Sequence, residues 1–237
     1  VPAGDTRVAP EAARPQAPAQ TQYEMVTDWD GLQSWIDRAR VAPCVALDTE
    51  TTSLEPMLAR LVGISLCIAP GQACYIPVAH RGSQAQGQLP RSEVLTKMKS
   101  WLEDPTPTKL LHHAKYDTHI FANEGIDLQG VAHDTMLQAY VLESHRGVGL
   151  DELGQRYLGV KGVTFEELCG KGAHQICFDE VDLDRATQYA CEDADFTMRL
   201  HDVLRPQVKN DARLEFVYQL EMKVSRVLFE IERTGVK

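Results

Sequence analysis

The spacing of apolar residues along the chain changes character from one segment to the next. In "DWDGLQSWIDRA" (28–39) they recur every three to four positions, which predicts a short helix. Three runs follow that are too continuously apolar for an exposed helix: 43–48, 60–69 ("RLVGISLCIA") and 73–79 ("ACYIPVA"). Each reads as a strand. Past the loop "HRGSQAQGQLP", helical spacing returns in 92–104 ("SEVLTKMKSWLED"), with Ser92 as its expected N-cap. The break "PTPT" precedes a fourth strand, "KLLHH", running into a helix "AKYDTHIFANEG" that Gly125 ends. From Asp134 on the pattern is helical: 134–143, 150–158, a turn near 165–169, and long helices near 181–204 and 211–233. Strands interleaved with helices, then helices alone, predict an α/β or α+β layer architecture. No internal repeat is visible.

Composition adds boundaries. Residues 1–22 are rich in Pro, Ala and Gln and read as a disordered linker. With 43% hydrophobic and 24% charged residues over 237 positions, the remainder supports one substantial core. No apolar run approaches the roughly 20 residues that cross a bilayer, and the first residues show no signal-peptide pattern. Six cysteines without a CxxC spacing predict reduced thiols in a cytoplasmic protein. The chain starts without Met and stops soon after a helical pattern, as a piece of a longer protein would. The net charge of −10 argues against a surface that grips duplex DNA by neutralising phosphates. A nucleic-acid function therefore requires metal ions, or a basic partner domain, to offset it.

The carboxylates supply the candidate chemistry. In the strand ending "VALDTET", alternation puts Ala46, Asp48 and Glu50 on one face and Val45, Leu47 and Thr49 on the other. On a wheel of about 100° per residue through "DLDRATQYACEDADFTMRLHDVL", Asp193 falls about 40° from Tyr189, within the apolar arc. Glu192 and Asp195 fall outside it. The same construction in "AKYDTHIFA" places Asp117 with Ala114 and Phe121, while Lys115 and His119 point away. A single inward Asp is explained by a turn cap or an Arg partner. Four on three elements, with few Lys or Arg on the same faces, call for protons or cations. Carboxylate oxygens suit hard ions such as Mg²⁺ or Mn²⁺, and a shared carboxylate can bridge two ions about 4 Å apart.

These residues carry a resemblance. "DTETTSLEPMLARLVGISLCI", "HHAKYDTHIFANEGI", "DTMLQAYVLES", "TFEELCGKG" and "QYACEDADFT" resemble, in order and spacing, the 3′–5′ proofreading exonuclease domain of family A DNA polymerases of the bacterial polymerase I type. The DxE pair, the YD of the second helix and the YxxxD of the late helix match the three motifs of DEDDy exonucleases. The resemblance implies a ribonuclease H-like α/β fold, a mixed central sheet flanked by helices. It implies two divalent ions, Mg²⁺ or Mn²⁺ with Zn²⁺ as a further candidate. Asp48, Glu50 and Asp193 would hold the ion that activates water. Asp48 would share the second, with Asp117 acting through its water shell. Tyr189 would bond the attacking water and Glu50 help orient it. Thr49, Leu54, His113, Phe165 and Tyr189 would meet substrate, Leu54 and Phe165 as apolar wedges against the terminal bases. His113 stands where the family usually has Asn, and Thr52 where an acid is common. Lys115, Lys161 and Lys171 are candidates for phosphate contacts.

The resemblance also implies an arrangement: linker 1–22, exonuclease domain 23–208, and a junction helix over 209–237 leading to a polymerase domain. A 5′-nuclease domain would precede the linker, and the substrate would be a single-stranded DNA 3′ end. The setting would be the bacterial cytoplasm, at the nucleoid, with no membrane partner. Two other readings are a catalytically silent structural module of the polymerase and an RNA-trimming exonuclease of the ribonuclease D kind. "YIPVAH" and "TFEELCGKG" favour the polymerase branch over the latter.

Overall fold

The computed structural model describes residues 21–82 and 85–235. The predicted linker lies outside these residues except at its end, where Gln22 already opens a strand. In chain order the strands are β1 Gln22–Met25, β2 Val45–Thr51, β3 Leu61–Ala69, β4 Gln72–Pro77, β5 Lys109–Leu111 and β6 Val131–Asp134. The helices are α1 Trp29–Val41, α2 Arg91–Leu102, α3 Ala114–Asn123, α4 Thr135–Leu142, α5 Leu150–Leu153, α6 Phe165–Cys169, α7 Leu183–Lys209 and α8 Ala212–Thr234.

One sheet runs β1-β4-β3-β2-β5-β6. The β2–β3 and β3–β4 pairs are antiparallel, the β1–β4, β2–β5 and β5–β6 pairs parallel, so the sheet is mixed as expected. Its central strands are covered on both faces, which explains their continuous apolar runs. Val45, Leu47, Ile64 and Leu66 face a layer built by α1, α2 and α3 through Leu32, Trp35, Met98, Trp101 and Phe121. Ala46, Val62, Cys67, Ala73 and Tyr75 face the small residues Ala186, Ala190, Cys191 and Ala194 of α7. Small side chains there let α7 approach the sheet closely. On its outer side α7 packs Phe196, Leu200 and Leu204 against Ala139 of α4 and Leu153 of α5.

Most predicted elements are present, with informative departures. The two outermost strands, β1 and β6, are four residues each and carry no period of their own; tertiary pairing creates them. Ser92 lies inside α2, which starts at Arg91 after Pro90 and has no side-chain cap. The helix expected over 150–158 is one α turn followed by a π-helical turn, Gly154–Leu158, stopped by Gly159 at φ 70°. All six cysteines are free.

Candidate metal centre and the cleft around it

β2 and α7 build the centre. The β2 pleat sends Asp48 and Glu50 toward α7, on the side of Ala46, and α7 answers with Asp193. One carboxylate oxygen from each lies within 4.8 Å of the others, a donor set that fits a hard divalent ion. Burial is the largest influence on all three, and their mutual repulsion is the next for Glu50 and Asp193. The Asp48 carboxyl is pushed up to about 7, and those of Glu50 and Asp193 well above the usual carboxylate range. Glu50 Oε1 is buried without a hydrogen-bond partner. An unpartnered carboxylate oxygen of this kind is costly unless a proton or cation meets it.

Asp117 stands apart from this trio. It sits on α3, and its Oδ1 accepts the Thr49 hydroxyl at 2.6 Å. Burial and the Asp48 charge raise its carboxyl as well. The alternation of β2 thus serves both sides: one face presents Asp48 and Glu50, the other uses Thr49 to tether the fourth acid. Tyr189, one turn before Asp193, is half-buried, and its hydroxyl draws the Asp193 carboxyl partly back down. Burial and the surrounding acids push the Tyr189 phenol far above its ordinary value, so it remains a donor.

The expected wedge residues are on the surface, not in the core: Leu54 is 90% exposed and Phe165 41%. Phe165 opens α6 behind a capping box of Thr164 and Glu167. Leu54 rides on the loop after β2, which Tyr116 holds by donating to the Ser53 carbonyl at 2.5 Å. Thr52 closes the same loop, its hydroxyl accepting from Arg60 N at 3.1 Å. His113 is the one non-glycine residue at positive φ (66°) among the described residues. That left-handed geometry is most comfortable for Gly or Asn. Each of the three lysines meets a carboxylate: Lys115 pairs with Glu232, Lys161 with Glu167 at 3.0 Å and Lys171 with Glu166 at 3.0 Å.

Two orientations differ from those the wheels predict. Asp195 is fully buried, not outward; it accepts from Gly71 N at 2.6 Å and from the Tyr23 hydroxyl at 3.1 Å. His119 is also buried, beneath α8, with Nε2 at 2.8 Å from Glu232. In both cases a second element covers the face that a two-sided wheel leaves to solvent. Asp134 is a further residue that the sequence reading passed over. Its carboxylate accepts from Met136 N and Leu137 N at the start of α4 and from Ala114 N and His113 N at the start of α3. An Asp directly before a helical run is an N-cap signal; its second duty arises only in three dimensions.

A family model described as 3′–5′ exonuclease matches residues 23–209. The chain belongs to the 3′–5′ exonuclease family, as the exonuclease domain of a DNA polymerase I. It is 41% identical over 221 residues to DNA polymerase I of Pseudomonas aeruginosa, covering 92% of this chain and 24% of that protein. It is 37% identical over 236 residues to DNA polymerase I of Chloroflexus aurantiacus, covering 99% of this chain and 24% of that protein. The chain thus spans about a quarter of the length of these relatives. In fold it is similar to Escherichia coli RNase D, with a TM-score of 0.64 at 22% identity, over 92% of this chain and 52% of that one. The exonuclease domain is therefore a hydrolytic nuclease on a ribonuclease H-like fold, and its carboxylate cluster fits divalent metal. Among the described residues no helix is long and apolar enough to cross a membrane.

Proposed function

We propose that this domain trims a single-stranded or frayed DNA 3′ end, releasing 5′-mononucleotides, and that it proofreads for a polymerase domain that follows it. The observation that carries the reading is the convergence of Asp48, Glu50 and Asp193 on one point, with Asp117 nearby. Asp48, Glu50 and Asp193 would hold one divalent ion, and Asp48 a second with Asp117 in its outer sphere. Mg²⁺ or Mn²⁺ suits these oxygens best, with Zn²⁺ a weaker candidate. When bound, such ions supply a lowered water pKa and stabilise the charge on the leaving 3′-oxygen.

The chain's own residues do the rest. Tyr189, held protonated by burial and by the surrounding acids, donates a hydrogen bond that fixes the attacking water. Glu50, with one buried oxygen left unpartnered, would orient that water for in-line attack. Thr49 keeps Asp117 in place. Leu54, on the loop after β2, and Phe165, at the start of α6, are exposed and stack against unpaired bases without reading their identity. A mismatched end unpairs at lower cost, so part of the selectivity resides in the substrate. His113 contacts the terminal nucleotide from the N-cap position of α3. Lys115, Lys161 and Lys171 exchange their carboxylate partners for phosphates when DNA arrives.

In the longer protein a 5′-nuclease domain precedes residues 1–22 and the polymerase domain follows α8, in the bacterial cytoplasm at the nucleoid. The polymerase supplies the basic surface that this acidic domain does without. The test is a 5′-labelled oligonucleotide with Mg²⁺, Mn²⁺ or EDTA, beside its RNA counterpart. A metal-dependent ladder shortening from the 3′ end of the DNA is expected, and Asp193→Ala should abolish it, at least 10³-fold. Faster cleavage of the RNA would move the reading to an RNA-trimming enzyme, and no cleavage of either would favour a silent module.

A further inference from the structure

Gly63 of β3 stands directly opposite Glu50 of β2. Residues so paired point to the same face with Cβ atoms about 5 Å apart. A Cβ on Gly63 would lie 2.1 Å from the Tyr75 hydroxyl and 2.3 Å from its ring carbons. The Tyr75 phenol, from β4, therefore fills the place where a cross-strand neighbour of Glu50 would stand. Its hydroxyl does not bond Glu50. It bonds His80 Nε2 at 2.7 Å, and Glu50 Oε1 is left free. His80 itself sits on a clamped backbone: its N–H donates to Gln88 Oε1 at 2.9 Å and its carbonyl accepts from Gln88 Nε2 at 2.8 Å. Its ring meets Tyr75 edge-on at 5.8 Å and Phe178 at 5.7 Å, and Phe178 lies 5.9 Å from Tyr189. Tyr75, His80 and Phe178 are all buried.

We infer that Gly63, Tyr75 and His80 form the wall that positions Glu50, and that His80 holds the Tyr75 hydroxyl away from Glu50 so that its oxygen stays available to a cation. Through Phe178 the same histidine backs Tyr189, so one buried ring supports both groups that flank the attacking water. None of the three touches substrate; they are positioning residues. The inference rests on the metal-binding reading of Asp48, Glu50 and Asp193.

The test is Mn²⁺ affinity of the whole chain, by EPR of free Mn²⁺, together with single-turnover rates. Gly63→Ala should displace Tyr75 and weaken Mn²⁺ binding about tenfold or more, as outer-sphere changes at metal sites do. His80→Leu should free the Tyr75 hydroxyl to bond Glu50 and weaken Mn²⁺ about tenfold. Adding Tyr75→Phe removes that competing hydroxyl and should restore affinity to within about threefold of the parent. Trp35→Phe, in the core layer on the other face of the sheet, should lower stability without moving Mn²⁺ affinity. Unchanged affinity in Gly63→Ala and His80→Leu overturns the inference, as does a loss in His80→Leu that Tyr75→Phe fails to rescue. A parent chain that binds no Mn²⁺ overturns the metal reading itself and takes the inference with it.

Discussion

At the scale of single residues, Asp48 shows how a site conflicts with the fold that carries it. Its carboxyl is pushed up to about 7 by burial, against about 3.9 for an unfolded chain. Well below pH 4 both states are protonated and nothing is lost. As pH rises the unfolded state releases its proton first, so stability falls until the folded carboxyl also ionises near pH 7. Asp48→Asn, which cannot titrate, should therefore stabilise the metal-free protein at pH 8 by about 1–3 kcal/mol, the full shift being reduced by partial exposure. At pH 4 the two should agree to within about 0.5 kcal/mol. Urea unfolding in EDTA at both pH values measures this; a variant less stable than the parent at pH 8 would refute it. The strained place of Asp48 was legible because a carboxylate in an apolar alternating strand breaks the pattern at a known period. The burial of Asp195 was not, because α7 is covered all round between Ala194 and Leu200, and a wheel assumes one wet face.

At the scale of elements, Asp134 joins two helices that the sequence presents as separate. It caps α4 and accepts two further N–H groups where β5 turns into α3, the helix that carries Asp117. Asp134→Ala removes about 1 kcal/mol for the cap and leaves buried donors unpaired, so a cost of about 2–4 kcal/mol is expected. Asp134→Asn, keeping one acceptor oxygen, should lose less. Chemical denaturation ranks the two, and equal losses would mean that volume and not hydrogen bonding is at stake. Long periodic elements such as α7 and β3 were legible within a few residues. β1 and β6 were not, since a four-residue strand exists only by pairing with β4 or β5. Likewise the π turn after α5 has no signature in hydropathy.

At the scale of the whole molecule, α8 carries exposed apolar side chains at Val217, Leu220, Val224, Val227, Leu228 and Ile231. Tyr218 is its one fully buried residue, bonded to Asp134 N at 3.1 Å. The carboxylate cluster sits where the sheet meets α7, and anything that relieves the carboxylates stabilises the entire domain. Bound metal does so by mass action: at 100 times its dissociation constant it contributes about 2.7 kcal/mol. For a domain of this size that is a rise of about 5–10 °C in Tm. Protons compete for the same oxygens, and the raised carboxyl pKa values place that competition near neutrality rather than near pH 4. A fixed Mn²⁺ concentration should then raise Tm clearly at pH 8, less at pH 6 and little at pH 5, with EDTA abolishing the difference. An equal rise at pH 8 and pH 5 would mean that the ion binds elsewhere, on carboxylates that are already ionised, and that Asp48, Glu50 and Asp193 do not form its site.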